Sequence, residues 1–111
     1  MNCKISNYLL SLGFIPNKIG YKYLVDLIKM GIEGVDILPL SKNGYLLLAE
    51  KYLKSSSTIE KDIQNAVSSA WLKGDVDVLN NEFGSTIDMR KGKPSNKHFI
   101  LTAIEKIGYY G

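Results

Sequence analysis

The sequence predicts a single all-α domain, and three observations point to this fold class. Apolar residues recur at every third or fourth position in several separate stretches, which is the spacing of helices that bury one face. Glycine, proline and serine lie between these stretches, where they begin or end helices. Hydrophobic residues make up 45% of the 111 positions, which suffices for a modest core in one domain spanning residues 1–111.

Three helices are predicted in the first half of the chain. The first ends at Gly13, a good left-handed C-cap, and the second ends within residues 31–34. Ser41 is predicted to cap the third helix, which Gly44 weakens locally. The residues expected to face the core are Ile5, Tyr8, Leu9 and Leu12 in the first helix, Ile19, Tyr23, Leu24, Leu27 and Ile28 in the second, and Tyr45, Leu46, Leu48, Ala49, Tyr52 and Leu53 in the third.

A fourth helix is predicted over residues 58–73. Ser57 and Glu60 have the spacing of a capping box, in which each side chain accepts a hydrogen bond from a backbone N–H at the helix start. The apolar residues of this helix fall on one face, which is expected to pack: Ile59, Ile63, Ala66, Val67, Ala70 and Trp71. The opposite side is polar but lightly charged, with Thr58, Lys61, Gln64, Asn65 and Ser68.

The remaining residues predict a short helix, a loop and a final helix. Asp75 or Asp77 opens the short helix, and residues 86–89 alternate like a strand fragment that is too isolated to build a sheet. Ser95 or Asn96 is predicted to cap the final helix. Its expected inward residues are Phe99, Ile100, Ala103, Ile104 and Ile107.

The third and fourth helices form a predicted helix-turn-helix. Only residues 54–57 separate them, and a short connector between two helices is typical of this motif. Asn, Gln, Ser, Thr and Lys side chains on the second helix are of the types that hydrogen-bond base edges in a major groove. The fourth helix is therefore a candidate recognition helix.

The composition argues against an enzyme or a metal protein. Cys3 and His98 are the only cysteine and the only histidine, so one chain cannot supply a four-ligand zinc site. His98 is expected to be an ordinary surface residue, and no phosphate loop or paired-carboxylate motif occurs. We therefore predict no catalytic residue, no metal and no cofactor. No segment resembles a membrane span or a good signal peptide, so we expect a cytoplasmic protein without membrane contact.

A basic segment is a second feature that suits nucleic acid. The net charge is +3, and Arg90, Lys91, Lys93 and Lys97 flank the start of the final helix, where backbone N–H groups and the helix dipole also favour phosphate. A solvated loop is the ordinary explanation of such a run of charges. Its combination with a helix-turn-helix and a polar outer face favours DNA binding.

A family resemblance rests on three stretches, LGFIPNKIGYKYL from Leu12, IEKDIQNAVSSAWLKGDVD from Ile59 and FGSTIDMRKGKPSNKHFI from Phe83. Over about residues 5–107 the chain resembles the C-terminal DNA-binding domain of the sporulation master regulator, stage 0 sporulation protein A. The resemblance implies a winged-helix-like, all-helical effector domain of about six helices, whose fourth helix enters the major groove. It also implies tandem binding or a homodimer on DNA, and contact of about residues 74–87 with the RNA polymerase sigma subunit.

The sequence departs from the family pattern in two ways. The regulator carries a phosphorylated receiver domain ahead of this module, and this chain is expected to lack one and so not to be switched by its own phosphorylation. Where the family reads bases with arginines, this sequence has Thr58, Lys61 and Gln64, while Glu60 is retained. Lysine lacks the planar fork that gives arginine roughly 1 to 3 kcal/mol of discrimination at guanine, so the operator should differ or be bound more weakly.

The leading hypothesis is a sequence-specific regulator of sporulation transcription that binds double-stranded DNA. The predicted DNA-binding residues are Ser57, Thr58, Glu60, Lys61, Gln64, Asn65, Ser68, Arg90, Lys91 and Lys93. Gln64 or Asn65 would pair with adenine, and Lys61 with guanine or a phosphate. The alternative is a protein-interaction module or antagonist acting on the sigma subunit or the full-length regulator, because the outer face is nearly neutral and lacks arginine.

Overall fold

A computed structural model describes residues 2–73, 79 and 93–110 of the chain. Five helices have defined bounds in this part: α1 (Asn2–Ser11), α2 (Ile19–Ile32), α3 (Gly44–Tyr52), α4 (Ser56–Lys73) and α5 (Asn96–Tyr110). Leu79 is also helical, and none of the described residues lies in a strand. The predicted all-α class is confirmed. None of the helices within these ranges has the length and apolar content needed to cross a membrane.

Glycines end the first two helices, as predicted. Gly13 has a φ of 98°, and the N–H groups of Phe14 and Gly13 donate to the carbonyl oxygens of Leu9 and Leu10, which is the bond pattern of a Schellman motif. Gly34, with a φ of 89°, follows α2 in the same way. Because side chains disfavour this left-handed backbone, the two glycines determine where α1 and α2 stop.

Helix α2 is the central element and contacts each of the other four helices. The core residues that it supplies, each at most 1% exposed, are Tyr23, Leu24, Leu27 and Ile28. Ile19 was predicted to face inward as well, but it is 49% exposed. The reason is that the next residue, Gly20, rather than Ile19, faces α4.

Two glycines allow α2 to approach its neighbours closely. A Cβ added at Gly20 would lie 2.8 Å from the Cβ of Ala66 and would collide with the backbone carbonyl oxygen of Asp62, both in α4. A Cβ added at Gly31 would lie 3.0 Å from Cγ1 of Ile104 in α5. The distance from α2 to α4 therefore depends on the absence of a side chain at Gly20, where backbone atoms of α4 are met, whereas at Gly31 the atoms met belong to the Ile104 side chain.

Helix α3 begins later than predicted, and Ser41 does not cap it. Its first residue is Gly44, and Asn43 at the N-cap position makes no side-chain cap bond. The side-chain nitrogen of Asn43 instead donates to the Leu38 carbonyl at 2.6 Å, and the Gly44 backbone N–H donates to the Ile37 carbonyl at 3.0 Å. These bonds form a turn that includes Ser41, so the helix starts only after it. As the first residue of α3, Gly44 does not interrupt the helix.

Helix α3 buries a narrower face than predicted. Tyr45, Leu48 and Ala49 are buried, whereas Leu46 is 46% exposed and Leu53 is 89% exposed. Leu53 follows the end of α3 and has a left-handed backbone with a φ of 57°, so helical spacing does not apply to it. The inward positions predicted for Leu46 and Leu53 are wrong.

Helix α5 begins at the predicted cap and presents the predicted face. The Ser95 hydroxyl accepts a hydrogen bond from the His98 backbone N–H at 3.2 Å, which settles the choice of cap in favour of Ser95. The His98 side chain is exposed, as predicted. Ile104 is partly buried at the edge of the core, and the fully inward residues are Phe99, Ile100, Ala103 and Ile107.

Some predicted features lie outside the described residues. They are the short helix opened by Asp75 or Asp77, apart from Leu79, and the strand fragment at residues 86–89. Leu79 is 1% exposed and belongs to the core. Arg90 and Lys91 of the basic segment also lie outside these ranges.

Gly20→Ala is expected to lower the free energy of unfolding by about 1 to 3 kcal/mol, because the added methyl group forces α2 and α4 apart. Gly108→Ala is a matched control, since it also lies in a helix but its added Cβ would meet only Cγ1 of Ile32, at 3.6 Å. The control should be neutral or gain up to about 1 kcal/mol from helix propensity. Urea unfolding followed by circular dichroism measures both. A Gly20→Ala protein as stable as the wild type would contradict the close crossing.

Candidate nucleic-acid interface

Helix α4 has a buried face and an exposed polar face. The buried residues, each at most 4% exposed, are Ile59, Ile63, Ala66, Val67 and Ala70. Trp71 is half-buried and packs edge-on against Phe99, with 5.9 Å between the ring centroids. These contacts confirm the predicted inward face. The exposed residues on the other side, called here the α4 outer face, are Ser57, Thr58, Glu60, Lys61, Gln64 and Asn65.

The structure brings together most of the predicted DNA-binding residues. Six of them form the α4 outer face, and Ser68 continues this surface as a half-buried residue. Hydroxyl, amide, carboxylate and ammonium groups therefore lie side by side on one helix. This set offers both donors and acceptors, which is what reading base edges requires.

Helix α4 begins at Ser56, and its cap is Ser55. The Ser55 hydroxyl accepts a hydrogen bond from the Thr58 N–H at 3.1 Å. The predicted capping box of Ser57 and Glu60 is therefore wrong. Three consecutive serines offer three hydroxyls with cap chemistry, and spacing alone cannot select among them. With the cap at Ser55, Glu60 lies in the second turn and its side chain is exposed.

A turn of three residues, 53–55, joins α3 to α4. It is one residue shorter than the predicted connector and lies within the range of a helix-turn-helix. The N–H groups of Leu53 and Lys54 both donate to the carbonyl oxygen of Ala49, so the end of α3 and the start of the turn share one acceptor. The predicted arrangement of α3 and α4 is thus present with a corrected boundary.

Asp26 of α2 holds the last turn of α3. Its carboxylate accepts hydrogen bonds from the Tyr52 hydroxyl and from the Lys51 ammonium, the latter at 2.9 Å. The Tyr52 ring packs edge-on against Tyr23, with 4.9 Å between ring centroids. Burial, followed by the hydrogen bond and negative charge of Asp26, raises the pKa of Tyr52 to about 12. The helix that precedes the turn is therefore tied to the central helix.

Lys93 connects the basic segment to α4. Its ammonium group donates a hydrogen bond to the Ser68 hydroxyl. Both residues were predicted to contact DNA, and here they contact each other. Lys93, three residues before the start of α5, consequently lies beside the C-terminal half of α4.

Asn96 is a residue of this region that sequence reasoning treated only as a possible cap. Its side-chain nitrogen donates to the Tyr45 hydroxyl at 3.3 Å and to the backbone carbonyl oxygen of Glu60 at 3.2 Å. Ser95 already caps α5, so the Asn96 side chain can bond elsewhere. The signal in the sequence was the presence of two adjacent cap-type residues where a helix needs one.

The charges on the α4 outer face cancel, since Glu60 and Lys61 are its only ionised residues. Asp62 is half-buried and lies towards α2, where its negative charge adds to the larger effect of burial in raising the pKa of Tyr23. The outer face is therefore suited to hydrogen bonding rather than to general attraction of phosphate.

A comparison with known protein families places this geometry in context. The family described as sporulation initiation factor Spo0A C terminal matches residues 5–107. This range includes the whole α4 outer face. This family consists of DNA-binding transcription-factor domains and not of enzymes. Within the described ranges, no group of three His, Cys, Asp or Glu side chains is arranged to hold a metal ion.

Ser55→Ala is expected to lower the free energy of unfolding by about 0.5 to 2 kcal/mol, because the Thr58 N–H loses its acceptor. Ser57→Ala changes the same residue type two positions later and should have a smaller effect. Urea unfolding of the two variants measures the difference. A larger loss for Ser57→Ala would favour the capping box after all.

Tyr52→Phe is expected to change the alkaline limb of the stability profile. The pKa of Tyr52 rises from the usual value of 10.0 to about 12 on folding, so its protonated form stabilises the fold fully below about pH 10. That contribution is lost as the pH rises through about 12. The difference in unfolding free energy between wild type and Tyr52→Phe should therefore shrink over this range, as urea unfolding at a series of pH values would show. Asp26→Asn should lower the pKa of Tyr52, and a constant difference across the range would contradict the assignment.

Proposed function

The chain belongs to the sporulation initiation factor Spo0A C-terminal family, and from that premise we propose that it regulates transcription by sequence-specific binding of double-stranded DNA, with α4 in the major groove. One observation carries the proposal. Six polar side chains form the exposed face of a helix whose opposite face is buried in the core. Such a helix can enter a groove without disturbing the fold.

The α4 outer face suits adenine better than guanine. Gln64 and Asn65 are both exposed, and each side-chain amide can bond to N6 and N7 of adenine. Lys61 can reach guanine or a phosphate, and Glu60 can accept from cytosine N4. Because this face has no arginine, we expect an operator that differs from the sequence read by arginine-containing relatives.

Most contacts with phosphate would come from outside α4. We assign this role to Arg90, Lys91 and Lys93, of which Lys93 lies next to α4 through its bond to Ser68. Following the resemblance, we further propose that residues 74–87 contact the RNA polymerase sigma subunit. We also propose that two copies of the chain bind neighbouring DNA sites, either in tandem or as a homodimer.

The test is selection of bound duplexes from a random pool, followed by fluorescence anisotropy with the selected duplex and a scrambled one at two salt concentrations. Asn65→Ala should weaken binding to the selected duplex by about tenfold or more, because one bidentate base contact is lost. Asn7→Ala, an exposed asparagine of α1, is the matched control and should bind as the wild type does. Failure of every selected sequence to bind more tightly than the scrambled duplex would refute sequence-specific recognition.

A second candidate is a module that binds protein through the same region. Leu53 and Leu72, near the two ends of α4, are 89% and 85% exposed, and the polar face between them carries no net charge. The partner would be the sigma subunit or the full-length regulator. Pull-down from a sporulating cell extract, with and without nuclease, separates the two functions. Retention of the partner after nuclease treatment supports this candidate, and loss of every partner argues against it.

A further inference from the structure

We propose that Asn96 is a positioning residue that sets the orientation of α4 and thereby the sequence specificity of DNA binding. The inference rests on the proposed function, because it concerns how α4 reads bases. Asn96 does so through bonds to protein, not through contact with DNA. Its test therefore measures discrimination between sequences as well as affinity.

One amide group joins three helices at this point. Asn96 is the first residue of α5, Tyr45 lies in the first turn of α3, and Glu60 lies in the second turn of α4. The Asn96 nitrogen donates to the Tyr45 hydroxyl at 3.3 Å and to the Glu60 carbonyl oxygen at 3.2 Å. The start of α5 is thus bonded to both helices of the helix-turn-helix.

The same segment also holds α4 further along. Lys93 bonds to Ser68, which lies eight residues after Glu60 and so about 12 Å along the helix axis. Hydrophobic packing against α2 is non-directional, whereas hydrogen bonds depend on angle as well as distance. Two bonds at separate points along α4 therefore restrict both its tilt and its rotation about its axis.

Orientation matters because Asn96 bonds to the backbone of Glu60, a residue whose side chain belongs to the α4 outer face. Glu60 is followed by Lys61, and Gln64 lies one turn further along on the same exposed face. Recognition requires functional groups to be held within about 0.5 Å of their productive positions. Electrostatic attraction to phosphates tolerates misplacement far better, because it has no angular requirement and falls off gradually with distance. Loss of the Asn96 bonds should consequently reduce specific binding more than non-specific binding.

The experiment compares binding to the selected and scrambled duplexes for wild type and Asn96→Ala. The affinity for the selected duplex should fall about tenfold, while that for the scrambled duplex stays within about twofold. Asn17→Ala, an exposed asparagine before α2, is the matched control and should alter neither value. An equal fall for both duplexes would show a merely structural role, and no fall would overturn the proposal outright.

A variant that removes less of the bonding tests the proposal even if Asn96→Ala does not fold. Tyr45→Phe removes one acceptor of the Asn96 nitrogen and keeps the bond to Glu60. Tyr45→Phe should also lower the ratio of selected to scrambled affinity, but by less than Asn96→Ala does. An unchanged ratio in this variant, with Asn96→Ala unfolded, would overturn the proposal.

Residual dipolar couplings of the DNA-free protein separate this proposal from the proposed function. Asn96→Ala should change the orientation of α4 relative to α2 and α5, whereas Asn17→Ala should not. If the wild-type protein did not discriminate between duplexes, the proposed function would fail and the couplings alone would decide on Asn96. Altered couplings would then support a positioning role, and unaltered couplings would overturn it.

Discussion

The close crossing of α2 and α4 at Gly20 is the constraint on which the rest of the structure depends. A side chain at this position would meet the backbone of Asp62 and the methyl group of Ala66. Its absence lets the apolar side of α4 sink into the core that α2 organises. The polar side is then left on the surface, so one small residue in the neighbouring helix α2 affects what the outer face of α4 presents to a ligand.

Hydrophobic burial sets how deeply α4 packs into the core, and a few directional hydrogen bonds set the orientation of the helix. Ser55 caps the first turn of α4. Asp26 of α2 holds the preceding helix, α3, through its bond with Tyr52. Asn96 and Lys93 contact α4 from the side of α5. DNA binding by such a module combines these two levels, since affinity for phosphate needs only charge while discrimination among bases needs a fixed reading surface.

Periodicity in the sequence predicted the fold class and the inward face of α4, because the spacing of apolar residues along one helix shows which of its faces will be buried. The end of α1 at Gly13 and the start of α5 after Ser95 or Asn96 were predictable for a similar reason, since a left-handed turn or a capping side chain acts locally. The error at Ser57 arose because three adjacent serines share the chemistry of a cap, and the error at Ser41 arose because a turn delays the start of α3. The roles of Asn96 and Gly20 depend on contacts between residues far apart in sequence, which spacing cannot reveal.

The central claim is that the α4 outer face is the surface that meets DNA. Titration of the isotopically labelled protein with the selected duplex, followed by amide chemical shifts, tests it most directly. The account predicts that the largest shifts occur at residues 57–65 and close to Lys93, with little change in α1. Large shifts confined to α1 or to the exposed leucines of α3, with α4 unaffected, would contradict it.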